Sequence, residues 1–336
     1  MKRLGVAAAL LAFASAAQAQ DASCLAAPAN VRDACQKASD IFKYLAPQLG
    51  ATIAGGNSIM GSGGVLGGLP HWTIGVRATA ISGGMPEFTT ANAPDALSTS
   101  AKASAYTTKV LPIAFPAVDG AIGVYGGIPL GLTKIGGVDI LANVAYVPTV
   151  STSAISIVPD KNIQIGYGLR IGLLQEGLTS PGIAVSVIQR GLPTTTITSK
   201  STSGSTGTDT LQIKDLDLKT TSVRLTISKS LVLFGVAAGV GVDKYKASTA
   251  INVALYRNVG PLLNQRIGSS APGFAVKSDM TRTNVFLDAY FSPIPLFKIV
   301  GEVGMVTGGT LTTVNTFDKL PAASRPYGAV GLRLGF

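Results

Sequence analysis

The chain has 336 residues, 46% hydrophobic and only 13% charged, with 27 Lys and Arg against 17 Asp and Glu. A soluble domain carries nearly twice that density of charge, yet no run of about 18 consecutive apolar residues occurs, which excludes helical membrane spans. The net charge of +10 comes without any Lys/Arg cluster interleaved with aromatics, so a nucleic-acid surface gets little support and anionic lipid or lipopolysaccharide is the more natural partner.

At the N-terminus, Lys2 and Arg3 precede an apolar run that ends in Ala17-Gln18-Ala19. This is the pattern of a secretory signal peptide over residues 1–20, cut after Ala19 or Gln20. Its removal takes two of the 27 basic residues and leaves 25 against 17 acidic, a net charge of +8. The two cysteines, Cys24 and Cys35, come next, and in an oxidising compartment so close a pair predicts one disulfide. The single histidine, His71, is far from them and has no clustered carboxylates, so neither a metal nor a cofactor is expected.

Residues 21–69 do not alternate like a strand. Val31, Ala34, Cys35, Ala38, Ile41, Phe42 and Leu45 fall near one helical stripe, with Asn30 as N-cap and Asp33 three residues later. Pro47 is expected to stop this helix, and a Gly-rich tract follows from Gly50 to Gly68. The segment is either a plug in a lumen, tied at its base by the disulfide, or a periplasmic cap and lead-in.

From His71 onward the period changes to two. Trp72, Ile74, Val76 and Ala78 oppose Arg77; Ile122 and Val124 follow on the next segment; Val138, Ile140 and Val144 oppose Asp139. Ile163 to Leu173 oppose Arg170, and Ile183, Val185 and Val187 form a further strand. Val223, Leu225 and Ile227 oppose Arg224, while Val232 to Val242 oppose Gly235, Ala237, Gly239 and Gly241, then Asp243. Thr283 to Phe291 oppose Arg282 and Asp288, and Ile299, Val303 and Met305 oppose Glu302. In the closing segment, Val330, Leu332, Leu334 and the terminal Phe336 oppose Arg333, which has Glu302 as a candidate partner. That apolar face ending in an aromatic is also a candidate insertion signal.

The connections alternate in length. Short turns lie at Pro129–Gly136, Leu174–Pro181, Lys229–Ser230 and Ser292–Leu296. Long polar loops lie near Gly83–Gly120, Pro148–Asn162, Pro193–Asp209, Ala247–Asp279 and Gly308–Arg325. Single-residue alternation with loops sorted by rim describes an all-β, antiparallel up-and-down transmembrane β-barrel over residues 70–336, with a short helical N-terminal segment. About ten strands are counted, or 12 to 14 if Tyr106–Phe115 and Ser248–Tyr256 are strands of their own. The expected location is the bacterial outer membrane with both termini periplasmic; a soluble exported β-protein is the competing class.

The inward charges are Arg77, Asp139, Arg170, Arg224, Asp243, Arg282, Asp288, Glu302 and Arg333. They either pair with one another and pack the lumen, or line a weakly basic path for anionic or amphipathic solutes. The small residues Gly235, Ala237, Gly239 and Gly241 leave room that could seat the N-terminal segment or relieve curvature strain. No nucleophile stands beside a base, and His71 with Trp72 suits an interfacial girdle, so no enzymatic activity is expected.

Signal peptide, helical and Gly-rich N-terminal segment, alternating strands and terminal Phe336 together resemble bacterial outer-membrane barrels. The arrangement looks most like barrels distantly akin to the long-chain fatty-acid transporter family. In that family an N-terminal plug occupies a 14-stranded lumen and hydrophobic substrates leave laterally; no binding residue is carried over. The non-strand N-terminus, the small-residue lumen wall and the long loops point to a porin-like channel or transporter for small or hydrophobic solutes in a Gram-negative envelope, gated by residues 21–69. The alternative is a structural or adhesive surface barrel whose loops, notably Thr194–Thr210 and Ala247–Asp279, bind envelope or host components. Expected partners are outer-membrane lipid, lipopolysaccharide, the barrel-insertion machinery and the solute.

Overall fold

A computed structural model describes residues 20–336, apart from 88, 90–93, 95–97, 152–154, 203–207, 232, 258–264, 270–272, 295, 321–322 and 336. For residues 150, 155, 199–202, 208–209, 255–257 and 265–269 only the backbone is described. The expected signal peptide, except Gln20, lies outside the described residues, as do Val232 and Phe336.

Ten strands form the wall: β1 (Trp72–Pro86), β2 (Thr108–Tyr125), β3 (Val138–Tyr146), β4 (Ile163–Leu174), β5 (Gly182–Gly191), β6 (Thr208–Ser230), β7 (Phe234–Arg257), β8 (Phe274–Ile294), β9 (Phe297–Thr307) and β10 (Arg325–Gly335). Each pairs antiparallel with its chain neighbour, and β10 returns to β1 with Gly331 opposite Arg77, so the ring closes without an edge. The ring holds ten strands, not 12 or 14. Residues 108–115 continue into β2 and 248–256 into β7. Four short strands, Val150–Ser151, Ile155–Pro159, Thr195–Thr202 and Gln265–Ser269, extend the sheet beyond the ring at one end only.

Turns at 126–137, 175–181, 231–233 and 295–296 define a short-turn rim, and the connections at 87–107, 147–162, 192–207, 258–273 and 308–324 define a long-loop rim. The outer face is apolar near the short-turn rim: Ile227, Leu225 and Val223 on β6, Phe234, Val236, Val240 and Val242 on β7, Leu287 and Val285 on β8 are all exposed. From Phe234 to Val242 this belt covers roughly 26 Å of strand, matching the height of a lipid-facing band. Beyond it Lys219, Lys244 and Asp279 occupy the same outer faces. The strands outlast the apolar alternation because above the belt their outer side meets water. Much of the expected Ala247–Asp279 loop is therefore strand.

Exposed Trp72, Tyr125, Phe234 and Phe291 ring the short-turn end of the belt, and Tyr146 and Tyr167 mark the other end. Val330, Leu332 and Leu334 of the candidate insertion signal face outward, 68%, 46% and 48% exposed. None of the helices among the described residues is long and apolar enough to cross a membrane; here strands do the crossing.

Inside the ring runs the N-terminal segment. Helix α1 (Ala22–Leu25) and helix α2 (Ala29–Ala54) are joined by the Cys24–Cys35 disulfide, with a Cα–Cα separation of 5.5 Å. Pro28 rather than Asn30 is the N-cap, and α2 continues through Pro47 to Ala54. The hydrogen bond lost at Pro47 is outweighed by burial: Ala46, Pro47, Gln48, Ala51 and Ile53 are all enclosed.

The segment starts at the long-loop rim, where Arg32 Nη1 donates to Thr99 O at 3.0 Å, and leaves at the short-turn rim, where Gly68 lies against Gly123 and Gly126. The expectation that both termini share the short-turn side does not hold for the described residues: Asp21 lies at the long-loop rim and Gly335 at the short-turn rim. The disulfide likewise ties the segment at its outer end rather than at its base.

Candidate functional site

The occupied lumen divides into two halves. In the outer half, one face of α2 buries Val31, Ala34, Ala38, Phe42, Ala46 and Ile53 against Leu216, Leu218, Ala247, Ile251, Val253 and Val276 of the extended strands β6–β8. This is ordinary amphipathic docking driven by apolar area. The other face meets the loops: Tyr44 stacks on Phe317 at 4.3 Å, and Phe317 stacks on Tyr106 at 5.4 Å. The last two aromatics sit on a parallel two-stranded pairing of Ala105–Tyr106 with Thr316–Phe317, which caps that rim.

Polar side chains of α2 also reach the loops. Asp33 Oδ1 accepts from Lys102 N at 2.8 Å, and Asp40 Oδ2 accepts from Asn315 N and Nδ2 at 2.8 and 2.7 Å. Burial pushes the Asp40 carboxyl above its ordinary pKa, against the opposing effect of these bonds. At the outer end, burial alone would raise Asp21. The Lys43 ammonium at 2.9 Å and the Ser23 and Ser39 donors outweigh it and hold that carboxyl below its ordinary value.

The inner half works by charge. At the C-terminus of α2 the last carbonyls lack intrahelical partners and carry the negative end of the dipole. One wall arginine donates to the last of them, and two more meet the carbonyls just beyond the helix. Arg190 Nη1 reaches Ala54 O at 2.6 Å, Arg224 reaches Gly55 O at 3.0 Å and Gly56 O at 2.8 Å, and Arg77 Nη1 reaches Asn57 O at 3.3 Å. Gly55, at φ 58°, turns the chain out of the helix in the left-handed region.

Beyond it the backbone is gripped through N–H groups as well. Glu302 accepts from Gly56 N at 3.0 Å and Asn57 N at 2.7 Å, and Asp288 Oδ2 accepts from Asn57 Nδ2 at 2.7 Å and Gly61 N at 2.8 Å. Asp139 accepts from Leu66 N at 3.2 Å, Arg170 Nη1 donates to Ser62 Oγ at 3.3 Å, and Arg333 Nη1 donates to Met60 O at 2.8 Å.

Seven of the nine inward charges named from the sequence thus bind the segment directly: Arg77, Asp139, Arg170, Arg224, Asp288, Glu302 and Arg333. Asp243 acts through Arg224, at 2.6 Å, and Arg282 donates to Ala323 O at 2.6 Å. Ion pairs support the grip: Arg77–Asp119 at 3.0 Å, Arg170–Asp139 at 2.8 Å and Arg190–Asp119 at 3.3 Å. Arg333 and Glu302, offered as partners, instead hold different carbonyl and amide groups of the segment.

Asp119 and Arg190 were missed. Both follow from extending the period-two count, through Ala117, Asp119 and Ala121 and through Ser186, Ile188 and Arg190, all buried on the inner face. The small residues of β7 do not seat the segment: a Cβ on Gly235 would meet the Tyr290 ring and one on Gly239 the Phe286 ring, both from β8. These two glycines accommodate neighbouring aromatics of the wall, and Gly241 makes room for the Arg224 side chain. His71 Nδ1 lies 2.8 Å from Gly68 O and Trp72 is exposed to the outside. Among the described residues no group of His, Cys, Asp and Glu could hold a metal ion.

A closed ten-stranded ring, apolar outside and polar within, with loops sorted by rim, defines an up-and-down transmembrane β-barrel of the outer-membrane type. No protein-family model matches the chain, and no curated protein matches its sequence. Solved structures similar to it include Ail, the attachment invasion locus protein of Yersinia pestis, at 13% identity over 60% of this chain and 100% of that one, TM-score 0.28. Others are Neisserial surface protein A (8% identity, 79% and 97% covered, TM-score 0.27) and the outer membrane channel DcaP of Acinetobacter baumannii (9%, 79% and 96%, 0.20). Likeness at these scores carries no functional argument, and the class rests on the barrel itself. The fourteen strands of the fatty-acid transporter family are not found in this ring.

Proposed function

We propose that the protein is a bacterial outer-membrane channel for small or hydrophobic solutes whose residues 21–69 are its occluding gate. In this orientation the short-turn rim faces the periplasm, and lipid, lipopolysaccharide and the insertion machinery are its envelope partners. One observation carries the proposal: the segment threads the lumen from rim to rim, and its inner half is held by wall charges acting on its backbone. Such a wall is polar, so water can replace the segment's N–H and C=O groups if it withdraws.

The test is to delete residues 21–68 and record single-channel conductance in planar bilayers. The full chain should be closed and the folded deletion variant open; a folded deletion variant without conductance overturns the channel. Ser58 Oγ and Ser186 Oγ are 2.8 Å apart, so a Ser58→Cys/Ser186→Cys crosslink offers a lock that should abolish any residual opening and release it on reduction.

A second function has its own motive. The extended β6–β8 and their added short strands form an outer sheet beyond the lipid belt, a surface suited to adhesion. Trimming the 192–207 and 258–273 connections should then abolish binding to envelope polymers or host surfaces while the barrel still inserts.

A further inference from the structure

Four lumen arginines pair with acids, at Arg77–Asp119, Arg170–Asp139, Arg190–Asp119 and Arg224–Asp243. At the short-turn mouth two cations face each other instead. Lys298 on β9 and Arg333 on β10 are direct cross-strand partners on the inner face, a placement in which like charges repel. Neither has a carboxylate within salt-bridge distance among the described residues. Arg333 Nη1 donates to Met60 O at 2.8 Å, and Lys298 Nζ stands 4.1 Å above the Tyr290 ring.

Both side chains line a cavity of about 420 Å³ that also touches Gly61 and Ser62 of the segment. That volume falls in the range of small-molecule sites. The single carboxylate on the lining, Glu176, is already engaged: Oε2 accepts from Ser228 Oγ at 2.7 Å, and Oε1 accepts from Ser230 N. The Gln175 carboxamide adds neutral polar lining, while the Thr73 hydroxyl already donates to Leu334 O at 2.9 Å.

We propose that this mouth is an oxyanion site, taking the carboxylate or phosphate group of a small solute between Lys298 and Arg333. An anion there relieves the cross-strand repulsion and gains charge-assisted hydrogen bonds from both cations. Lys298 and Arg333 project from the inner face of the wall, so the ligand is a free solute rather than a lipid headgroup. Because Arg333 also holds Met60 O, the ligand competes for the group that fastens the segment at this rim. The site stands on its own geometry: it survives if the segment proves immovable, and the gate survives if the site proves empty.

Titration calorimetry on the full chain in neutral-headgroup detergent tests this with two probes, inorganic phosphate and succinate. Saturable binding of either at one site per barrel is expected, weakened by salt. Lys298→Gln should weaken it roughly ten- to hundredfold, whereas Glu176→Gln, which removes the only acid, should tighten it several-fold. Lys219→Gln, far from the mouth on the outer face, should leave it unchanged. Arg333→Gln also frees Met60 O, so Lys298→Gln carries the test if that variant misfolds. Absence of saturable binding of both probes to the folded chain overturns the proposal, as does an equal effect of Lys298→Gln and Lys219→Gln.

Discussion

The two halves of the lumen solve the same problem by opposite means. In the outer half a helix satisfies its own backbone, so the wall needs only apolar surface, and Phe42 and Val31 pack against Leu218, Ile251 and Val276. In the inner half the segment leaves helical geometry at Gly55, and its freed amides and carbonyls must find partners on the wall. Arg77, Arg190 and Arg224 meet the carbonyls, and Glu302, Asp288 and Asp139 meet the amides. In this barrel the wall is apolar where it meets the helix and charged where it meets the irregular chain.

This contrast can be broken from either side. The largest effect is expected for Phe42→Ala, which opens a cavity in the apolar cluster and should cost the docking of α2 about 4 kcal/mol. Hydrogen exchange should then rise across 29–54 while 56–66 stays protected. Equal loss in both stretches would show that the halves are one cooperative unit.

Arg224→Met should do the reverse. It strands Gly55 O, Gly56 O and the buried Asp243, an expected loss of about 3 kcal/mol, read as exchange at 55–62 with α2 retained above it and as a conductance leak. Ser58→Ala removes one hydroxyl pair and should cost about 1 kcal/mol, visible only as faster exchange near residue 58. Protection unchanged within error would place Ser58 outside the grip.

The smallest effect concerns pH. Asp21 is held below its ordinary pKa, so its anchoring is present above that ordinary value and is lost as pH falls through the lowered one. The difference between the chain and Asp21→Asn in the thermal transition of the Tyr44–Phe317–Tyr106 stack, followed by near-UV circular dichroism, should hold at neutral pH and shrink as pH falls below the ordinary carboxyl range of about 4. A difference independent of pH would remove Asp21 from the account of the outer half.

Much of this was legible without coordinates. Period-two runs such as Val223-Leu225-Ile227 opposite Arg224 identify the lipid and lumen faces, because every crossing strand obeys the same alternation. The alternation fades above the belt, where Lys244, Lys246 and Ser248 replace valines on the outer face, and strand ends were misplaced there. The same stopping short at Val187 hid Arg190. Pro47 misled for a different reason: a local rule against proline yields when both faces of the helix are buried.

Composition, alternation and loop sorting by themselves determined an up-and-down barrel wall of ten to 14 strands, its two faces, the inward direction of nine charges and the Cys24–Cys35 bridge. These are local properties, set by a strand's two-residue repeat and by proximity in sequence. Only the tertiary structure decided that residues 21–70 run through the lumen from the long-loop rim, and that the charges bind this segment more than one another. It also brought Lys298 and Arg333 together at one mouth. Those outcomes depend on cross-strand register and on which backbone groups a non-helical chain leaves unpaired, and neither is written in the period of any single strand.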